Sequence, residues 1–391
     1  MMLTASAPPL GERRLLADHP SSPLPRVSTK ELIDLLTHAG LTGRGGAGFP
    51  TARKLASLDG RRPVVVGNAM EGEPLSHKDA VLLQHSPDLV LDGLTILSDA
   101  LRSSRTILAL GARVPAPQPR RGIEVRRLED SFVAGQETAL VNQLNGHDPV
   151  PTDPSTPVFR RGMDGRPTLV LNAETLAQLA LVVRHGSEWF RSQGHPDDPG
   201  TFLVSLTAST ERLLPQAGVL EVRRGIPIRE LLERGGTDLT CLEAVLVGGY
   251  HGAWVPASAL DAPLSRGGLA PYGATPGAGI VHLLDVATCP LEAAARVTEY
   301  LAEQSARQCG PCLNGLPRMA ETMRRLARPG ADPRLVDELA RLQTLVTGRG
   351  ACKHPDGTVR FVASTLRVFN RHVDEHVRGY CDRDLPRRTV R

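Results

Sequence analysis

Short apolar runs alternate with amphipathic helix patterns between residues 64 and 185, and this alternation restricts the fold more than any other feature of the chain. Residues 64–68 (VVVGN) are a β-branched run that ends in glycine and asparagine. Further strand patterns follow at 106–110, 123–128 and 168–171, and helix patterns lie at 87–102, 136–144 and 174–185. A strand–helix alternation of this kind predicts an α/β fold with a parallel sheet.

The sequence pattern changes twice after this α/β region. Short strand patterns surround one short helix pattern between residues 199 and 286, which is typical of a small β-grasp-like module. From residue 288 onward the pattern is helical, and short connections favour a four-helix bundle with helices at 290–306, 315–327, 332–346 and 359–377. We therefore predict five parts: a flexible arm (1–27), an α/β domain (28–198), a β-grasp-like module (199–287), a helical bundle (288–380) and a tail (381–391).

Composition excludes several classes of protein. The net charge is only +4, with 46 basic and 42 acidic residues, and the basic residues are scattered, so a nucleic-acid partner is not expected. No apolar run approaches the ~18 residues of a membrane span, so direct membrane insertion is not expected either. The first residues contain no apolar segment typical of a secretion signal, which indicates a cytoplasmic protein with six reduced cysteines.

A glycine-rich loop at 43–51 (GRGGAGFPT) is the first candidate site. It satisfies the spacing of a dinucleotide-binding turn, but a helix pattern precedes it where that turn needs a strand, so a simple Rossmann turn is disfavoured. Glycines allow the backbone to approach a phosphate, and free N–H groups lie at the start of the following helix. The loop therefore indicates phosphate binding, with a flexible turn as the alternative.

Polar side chains also follow the predicted strands and open the predicted helices. The segments 67–74 (GNAMEGEP) and 171–175 (LNAET) come directly after strands, and 135–139 (GQETA) enters a helix. Ligands of parallel α/β folds bind beyond the carboxyl ends of the strands. That rim is the predicted ligand site, and its candidate residues are Asn68, Glu71, Glu73, Gly135, Glu137, Asn172 and Thr175. The carboxylates on their own are also typical of a solvated turn.

Three cysteines in loops of the predicted bundle form the third candidate site. Cys309 and Cys312 are spaced as Cys-Gly-Pro-Cys, and Cys352 follows forty residues later. Thiolates at this spacing bind iron–sulfur clusters or zinc, and the spacing alone does not choose between them. His354 is a conceivable fourth zinc ligand, and free reduced thiols are the remaining alternative.

Taken together, four segments resemble the family of the flavin-carrying 51 kDa or F subunit of respiratory complex I, which includes the diaphorase subunits of NAD-linked hydrogenases and formate dehydrogenases. The resemblance follows the family order from about residue 28 to residue 378, and residues 199–286 resemble the family's SLBB domain. Its segments are GRGGAGFPT at 43–51, NAMEGEPLSHKD at 68–79, AGQETALVNQLNG at 134–146 and GRPTLVLNAETLAQL at 165–179.

The resemblance implies an FMN-dependent, iron–sulfur electron-transfer subunit of an NADH dehydrogenase-like oxidoreductase. In the family, NADH passes a hydride to the flavin and single electrons leave through the cluster. The implied FMN contacts are Gly43, Arg44, Gly45, Gly46, Lys54, Asn68, Glu71, Glu73, Gly135, Glu137, Asn172 and Thr175, with Phe49 as a retained aromatic ring. Glu73 and Glu137 are the implied catalytic residues, and Cys309, Cys312 and Cys352 align with three of the family's four cluster ligands.

Departures from the family pattern affect both NADH and the cluster. The family's Lys-Pro-Pro-Phe stretch is replaced at 154–157 and its second stacking ring at about Ser57, which puts NADH in question as the donor. The family's Asp, Tyr and one Glu are Met70, Phe132 and Gln136 here. The first cluster cysteine is Ala306, so a [4Fe–4S] cluster with a non-cysteine fourth ligand is favoured over a [3Fe–4S] cluster.

These residues do not identify the electron donor or the electron acceptor. A ferredoxin-like electron-transfer protein or other subunits of an oxidoreductase complex are the expected partners, and the chain is expected to be cytoplasmic and peripheral to a membrane complex. The alternative is a non-catalytic paralogue that acts as an assembly subunit, with structural zinc or no metal at the cysteines.

Overall fold

A four-stranded, all-parallel sheet forms the centre of the first half of the chain, as the alternation predicts. The computed structural model describes residues 13–19, 22–58, 62–152 and 155–383. The strand order is β3-β2-β1-β4, with β1 at Val64–Ala69, β2 at Arg105–Leu110, β3 at Glu124–Arg127 and β4 at Thr168–Asn172. Val64, Val65 and Val66 are buried, because the central strand is covered on both faces. The carboxyl ends of β1 and β4 therefore lie side by side.

Helices cover both faces of this sheet. They are α1 (Thr29–Ala39), α2 (Thr51–Ala56), α3 (Lys78–His85), α4 (Pro87–Leu101), α5 (Glu137–Leu144), α6 (Ala173–His185) and α7 (Ser187–Arg191). Ser28 caps α1 through a reciprocal capping box with Glu31, and Gly40 ends the helix in the left-handed conformation. Gly93 brings α4 close to α6, because a Cβ at this position would lie 2.3 Å from the carbonyl oxygen of Leu176.

The middle of the chain folds around a second, mixed sheet of five strands. A short hairpin precedes it, formed by β5 (Gly194–His195) and β6 (Asp198–Pro199). The sheet has the order β10-β9-β11-β7-β8, with β7 at Thr201–Ala208, β8 at Gly218–Arg223, β9 at Leu242–Val247, β10 at Ala253–Pro256 and β11 at Ile280–Asp285. Only β7 and β11 pair in parallel. The helices of this part are α8 (Ile228–Arg234) and α9 (Arg266–Leu269).

The last part of the described chain is helical. It contains α10 (Pro290–Glu303), a π-helical turn (Pro311–Gly315), α11 (Leu316–Leu326), α12 (Arg334–Val346), α13 (His354–Val368) and α14 (Asn370–Val377). The helix predicted at 359–377 is two helices, since Phe369 departs from helical dihedral angles. The first of them starts at His354, earlier than predicted, because Pro355 is tolerated in the first turn.

Side chains join the three parts to one another. Trp254 of β10 packs edge-on against Phe369 and near Phe361 of the helical part. Within the predicted N-terminal arm, residues 13–19 pack on the second sheet, where the backbone N–H groups of Leu15 and Leu16 donate to the Glu221 carboxylate. Residues 1–12, 20–21 and 384–391 of the predicted arm and tail lie outside the described residues. Among the described residues, no helix is both long enough and apolar enough to span a bilayer.

Candidate functional site

The glycine loop lies over the carboxyl end of β4. The loop is closed at its base, where Gly43 N–H donates to the Phe49 carbonyl over 2.9 Å. At its centre the Arg44 backbone N–H donates to Thr175 Oγ1 over 2.9 Å, and a Cβ at Gly45 would lie 3.3 Å from Cβ of Asn172. The structure therefore brings the glycine loop together with Asn172 and Thr175, as the rim prediction requires.

Left-handed glycines shape the outer half of the loop. Gly46 has φ of 109° and Gly48 has φ of 61°, conformations that side chains rarely adopt. Arg266 of α9 donates to the carbonyl of Ala47, so the second sheet's domain contacts the loop as well. Nothing local in the sequence indicated Arg266, since it lies more than two hundred residues away.

The Arg44 side chain is anchored away from the other rim residues by the β5–β6 hairpin. Its guanidinium is buried and donates to the Pro199 carbonyl over 3.2 Å and to Thr42 Oγ1 over 3.3 Å. Burial, with the nearby Arg224 charge, lowers the pKa of Arg44 to about 10. Arg44 thus links the loop to the hairpin. An anion at the loop would be held by the backbone N–H groups of the loop and by the positive potential of the buried guanidinium.

Lys54 supplies a cation at the same rim. From α2 its Nζ lies 2.6 Å from Glu137 Oε1 at the start of α5 and donates to the Val170 carbonyl of β4 over 2.8 Å. Phe49 projects beside this region with 51% of its surface exposed. The structure therefore brings two of the predicted site residues, Lys54 and Glu137, together in a partly exposed position.

A buried ion network fixes Asn172, the last residue of β4, beside the carboxyl end of β1. Lys78 Nζ lies 2.8 Å from Asp79 Oδ1 and 3.0 Å from Glu174 Oε2, and it donates to Asn172 Oδ1 over 3.0 Å. Burial alone would lower the pKa of Lys78, but the two carboxylates outweigh this effect and raise it. The Asn172 amide in turn donates to Asp79 and to the Asn68 carbonyl. The predicted site lacked this Lys78 network, although Lys78 is one of only four lysines.

Asn68 joins the strand end to the α5 entry. Its Nδ2 donates to the Gly135 carbonyl over 2.9 Å, and its Oδ1 accepts from the Met70 N–H. Met70 is buried in the apolar cluster between the sheet and α5. The side chain that replaces the family's aspartate therefore adds packing and no charge.

The two glutamates of segment 67–74 have different environments. The Glu71 carboxylate caps α3 by accepting from the N–H groups of Asp79 and Ala80 and from the Ser76 hydroxyl. Burial, with the Asp79 charge, raises the pKa of Glu71. This role in capping was not visible from the sequence, which placed Glu71 at the ligand.

Glu73 reaches the loop before β10. Its Oε2 accepts from the Tyr250 N–H over 3.1 Å, whereas its Oε1 is buried without a hydrogen-bond partner in the described part of the chain. Burial raises the pKa of Glu73 to about 8. Burial therefore favours the neutral form of Glu73, and its Oε1 is left without a hydrogen-bond partner among the described residues.

Aromatic and imidazole rings lie between Glu73 and the cysteines. Phe132 packs edge-on against His251, Tyr300 and His354, at centroid distances of 4.7, 6.0 and 5.5 Å. Tyr250, whose backbone binds Glu73, also contacts Tyr300. The Phe132 N–H donates to the side-chain oxygen of Gln304, just before the cysteine loop. These rings connect the rim of the first sheet with the helical part.

The three predicted metal ligands come together at the π-helical turn. Burial, together with the neighbouring Cys309 and Cys352, raises the pKa of the Cys312 thiol to about 12. Burial also raises the pKa of Cys352. Ser305, one residue before Ala306, has a buried hydroxyl with no hydrogen-bond partner in the described ranges. Three neighbouring thiols fit an iron–sulfur cluster whose fourth ligand is not a cysteine.

The same geometry fits a Cys₃His zinc site poorly. His354 Nε2 contacts the Leu301 carbonyl at 2.7 Å, and Nδ1 contacts His251 Nε2 at 3.0 Å. Both ring nitrogens are therefore engaged. The sulfur atoms of the three cysteines do not all lie within 4.8 Å of one another. A shared zinc ion, with zinc–sulfur bonds of about 2.3 Å, would hold them about 3.8 Å apart.

Two family models match the chain in the regions just described. Residues 36–181 match the Nuo51 FMN-binding domain, and residues 292–376 match the NADH-ubiquinone oxidoreductase-F iron–sulfur binding region. The first region holds the glycine loop and the rim residues, and the second holds all three cysteines. The resemblance stated from the sequence is thus confirmed.

Curated and solved relatives agree with these matches. The F subunit of NADH-quinone oxidoreductase from Streptomyces coelicolor is 29% identical over 89% of this chain and 83% of its own length. The F 2 subunit of the same enzyme from Rhizobium meliloti is 27% identical over 89% of each chain. A crystal structure of an NAD⁺-reducing [NiFe]-hydrogenase in the H₂-reduced state superposes with a TM-score of 0.80 at 26% identity. That match covers 90% of this chain and 63% of the hydrogenase chain.

Fold and site define an oxidoreductase subunit with an FMN-binding domain and a [4Fe–4S]-binding region, consistent with electron transfer from flavin to iron–sulfur cluster. The chain belongs to the family of the flavin subunit of complex I, the F subunit of NADH-quinone oxidoreductase.

Proposed function

We propose that FMN binds at the rim of the parallel sheet and that an iron–sulfur cluster binds at Cys309, Cys312 and Cys352. The observation that carries this proposal is the convergence of the glycine loop, Lys54 and the ends of β1 and β4 on one rim. When bound, FMN supplies the conversion between a two-electron hydride and single electrons.

Each predicted rim residue has a proposed part in holding FMN. Gly43, Gly45 and Gly46 let the loop backbone approach the phosphate, while Arg44 and Lys54 supply positive charge. Asn68, Gly135, Asn172 and Thr175 fix the loop, the strand ends and α5 relative to one another. Glu71 positions the segment by capping α3, and Phe49 offers an exposed ring for stacking.

Glu73 and Glu137 are the proposed catalytic residues. Glu73, with its raised pKa and free oxygen, can hold a proton at Oε1, and Glu137 keeps Lys54 at the rim through a 2.6 Å ion pair. The rings of Phe132, Tyr250 and Tyr300 pack edge-on against one another between the rim and the helical part. These packed rings are the proposed route for electrons towards the cysteines.

The domain assignment accompanying this proposal follows the sequence: an FMN-binding domain at 28–198, an SLBB ubiquitin-like module at 199–287 and an iron–sulfur bundle at 288–380. The strand order of the second sheet, with its parallel central pair, supports the β-grasp assignment.

We further propose that the chain works in the cytoplasm, peripheral to a membrane complex, with a ferredoxin-like protein or other oxidoreductase subunits as partners. Its named relatives are subunits of NADH-quinone oxidoreductase.

The experiment is a reductive titration of the anaerobically purified chain. We expect the flavin absorption to bleach with dithionite and to bleach more weakly, or not at all, with NADH, because Ser57 replaces a family stacking ring. Glu73→Gln and Glu137→Gln should each slow flavin reduction, whereas Glu129→Gln, an exposed carboxylate elsewhere, should not. Equal reduction rates in all three variants would remove both glutamates from the catalytic site.

The competing assignment is a non-catalytic assembly subunit. Ser57, where the family has a second stacking ring, is the observation that favours loss of NADH use. Protein that binds neither FMN nor iron but assembles with other subunits would support this alternative and reject the proposed electron transfer.

A further inference from the structure

A second group of soft ligand atoms lies in the helical part and is distinct from the three cysteines of the proposed cluster. Cys289 is the residue before α10, His376 lies in the last turn of α14, and Cys381 follows that helix. One ligand atom from each of these residues lies within 4.8 Å of the others. Each residue is less than 9% exposed. The chain therefore brings together residues from both ends of the helical part.

The spacing of these atoms matches a tetrahedral zinc site. Cys289 Sγ lies 3.6 Å from His376 Nε2. Bonds of about 2.3 Å for Zn–S and about 2.1 Å for Zn–N, at a tetrahedral angle, place sulfur and nitrogen about 3.6 Å apart. The two atoms thus already have the separation that a shared zinc ion requires.

The histidine ring has no other use for its nitrogens in the described ranges. Among the described residues, the buried Nδ1 of His376 has no hydrogen-bond partner, and Nε2 lies 3.6 Å from the Cys289 sulfur. A thiol is a weak hydrogen-bond partner for a buried imidazole nitrogen, and a metal ion bound by Nε2 would give this atom a stronger one. The main chain of His376 is tied to the α11–α12 connection, since Gly330 N–H donates to the His376 carbonyl over 2.7 Å.

Charge balance and ligand chemistry favour zinc over other common ions. Two thiolates neutralise a divalent cation, so the complex carries no net charge among the apolar side chains that surround Cys289 and Cys381. Thiolate and imidazole ligands suit zinc, whereas magnesium and calcium prefer oxygen. We propose that Cys289, His376 and Cys381 bind one Zn²⁺, with water or a further ligand in the fourth position.

This zinc ion would have a structural effect and no part in electron transfer. Zinc has no redox chemistry in proteins. It would tie the start of α10 to the segment after α14, closing the helical part on itself independently of Cys309, Cys312 and Cys352. Neither family match nor the proposed flavin chemistry requires it.

Elemental analysis of the full chain, after dialysis against a weak chelator, tests the proposal. We expect about one zinc per chain in the wild type. Cys289→Ser and Cys381→Ser should lose most of this zinc and keep the iron and flavin content. Cys309→Ser should do the reverse, losing iron and keeping zinc. Cys241→Ser is the matched control, because Cys241 lies outside both groups and donates to Asp238 instead.

Zinc K-edge X-ray absorption of the wild type covers the case in which the serine variants fail to fold. The expected first coordination sphere has two sulfurs and at least one nitrogen. Wild-type protein without zinc, or zinc retained in both serine variants, would overturn the proposal. A disulfide between Cys289 and Cys381, seen as two thiols that resist alkylation in denatured protein, would overturn it as well. Flavin and iron are measured on the same samples, so failure of the proposed electron-transfer function would be recognised separately.

Discussion

Replacement of Glu73 by glutamine should remove a pH-dependent loss of stability. The Glu73 carboxyl is buried, and its pKa is raised from 4.5 to about 8. The folded state therefore binds more protons than the unfolded state between these two values, so the free energy of unfolding falls as the pH rises through this window. Glutamine keeps an oxygen that can accept from the Tyr250 N–H, but it does not titrate.

The magnitude follows from the pKa shift. Each pH unit within the window costs about 1.4 kcal/mol, so the 2.5 units between pH 4.5 and pH 7 cost the wild type about 3 kcal/mol. The Glu73→Gln variant should escape this cost. The difference in unfolding free energy between variant and wild type should therefore grow by about 3 kcal/mol from pH 4.5 to pH 7.

Urea unfolding, followed by the fluorescence of Trp189 and Trp254, measures this difference at each pH. Only its change with pH matters, because the substitution can also add a constant offset. Glu129→Gln serves as the control, and as a surface change it should stay within about 0.5 kcal/mol of the wild type at every pH. Parallel pH curves for the Glu73 variant and the wild type would refute the reasoning, since they would mean that Glu73 ionises in the folded state as it does in water.

Three further predictions concern packing, buried charge and the exposed ring. Lys78→Met should lower the free energy of unfolding by roughly 3–5 kcal/mol in the same urea assay, because two buried carboxylates lose their cation. The control, Lys353→Met, breaks an exposed ion pair and should cost at most about 1 kcal/mol. Gly93→Ala should lower the free energy of unfolding by about 1–3 kcal/mol, because the added methyl group clashes with α6. Gly267→Ala, where the added methyl group meets open space, should not lower it. Equal effects of the two substitutions would disprove the close approach of α4 to α6. Phe49→Ala should leave the free energy of unfolding unchanged but weaken FMN binding, measured by calorimetry, by about 1–3 kcal/mol. Unaltered FMN affinity would exclude stacking on this ring.

The sequence predicted those parts of the fold that local pattern determines. The β-branched run at 64–66 is such a local signal, and the structure has β1 at this place. The motif residues at strand ends also met at one rim, because parallel strands direct their carboxyl ends to the same edge.

Contacts between distant segments were beyond prediction from the sequence. The Arg44 guanidinium is held by Pro199, and the Glu73 carboxylate is held by the Tyr250 backbone. Each contact joins residues more than 150 positions apart, so no local spacing reveals it. His354 likewise has the spacing of a zinc ligand relative to Cys352, but His251 from the second sheet occupies one of its nitrogens.

The same limit applies to Cys289, His376 and Cys381. The sequence placed these residues at a domain start, in a helix and in a tail, with nothing to connect them. Helix packing brings their side chains within 4.8 Å of one another. Sequence spacing draws attention to a metal site when its ligands are close together in the chain, and here Cys289 lies 87 positions from His376.

The central claim is that one chain carries both FMN and an iron–sulfur cluster. Its most direct test is the FMN and iron content of anaerobically purified wild-type protein, beside that of Cys309→Ser. The account predicts about one FMN and about four irons per wild-type chain, with iron lost and FMN retained in the variant. Wild-type protein that contains neither flavin nor iron would contradict it.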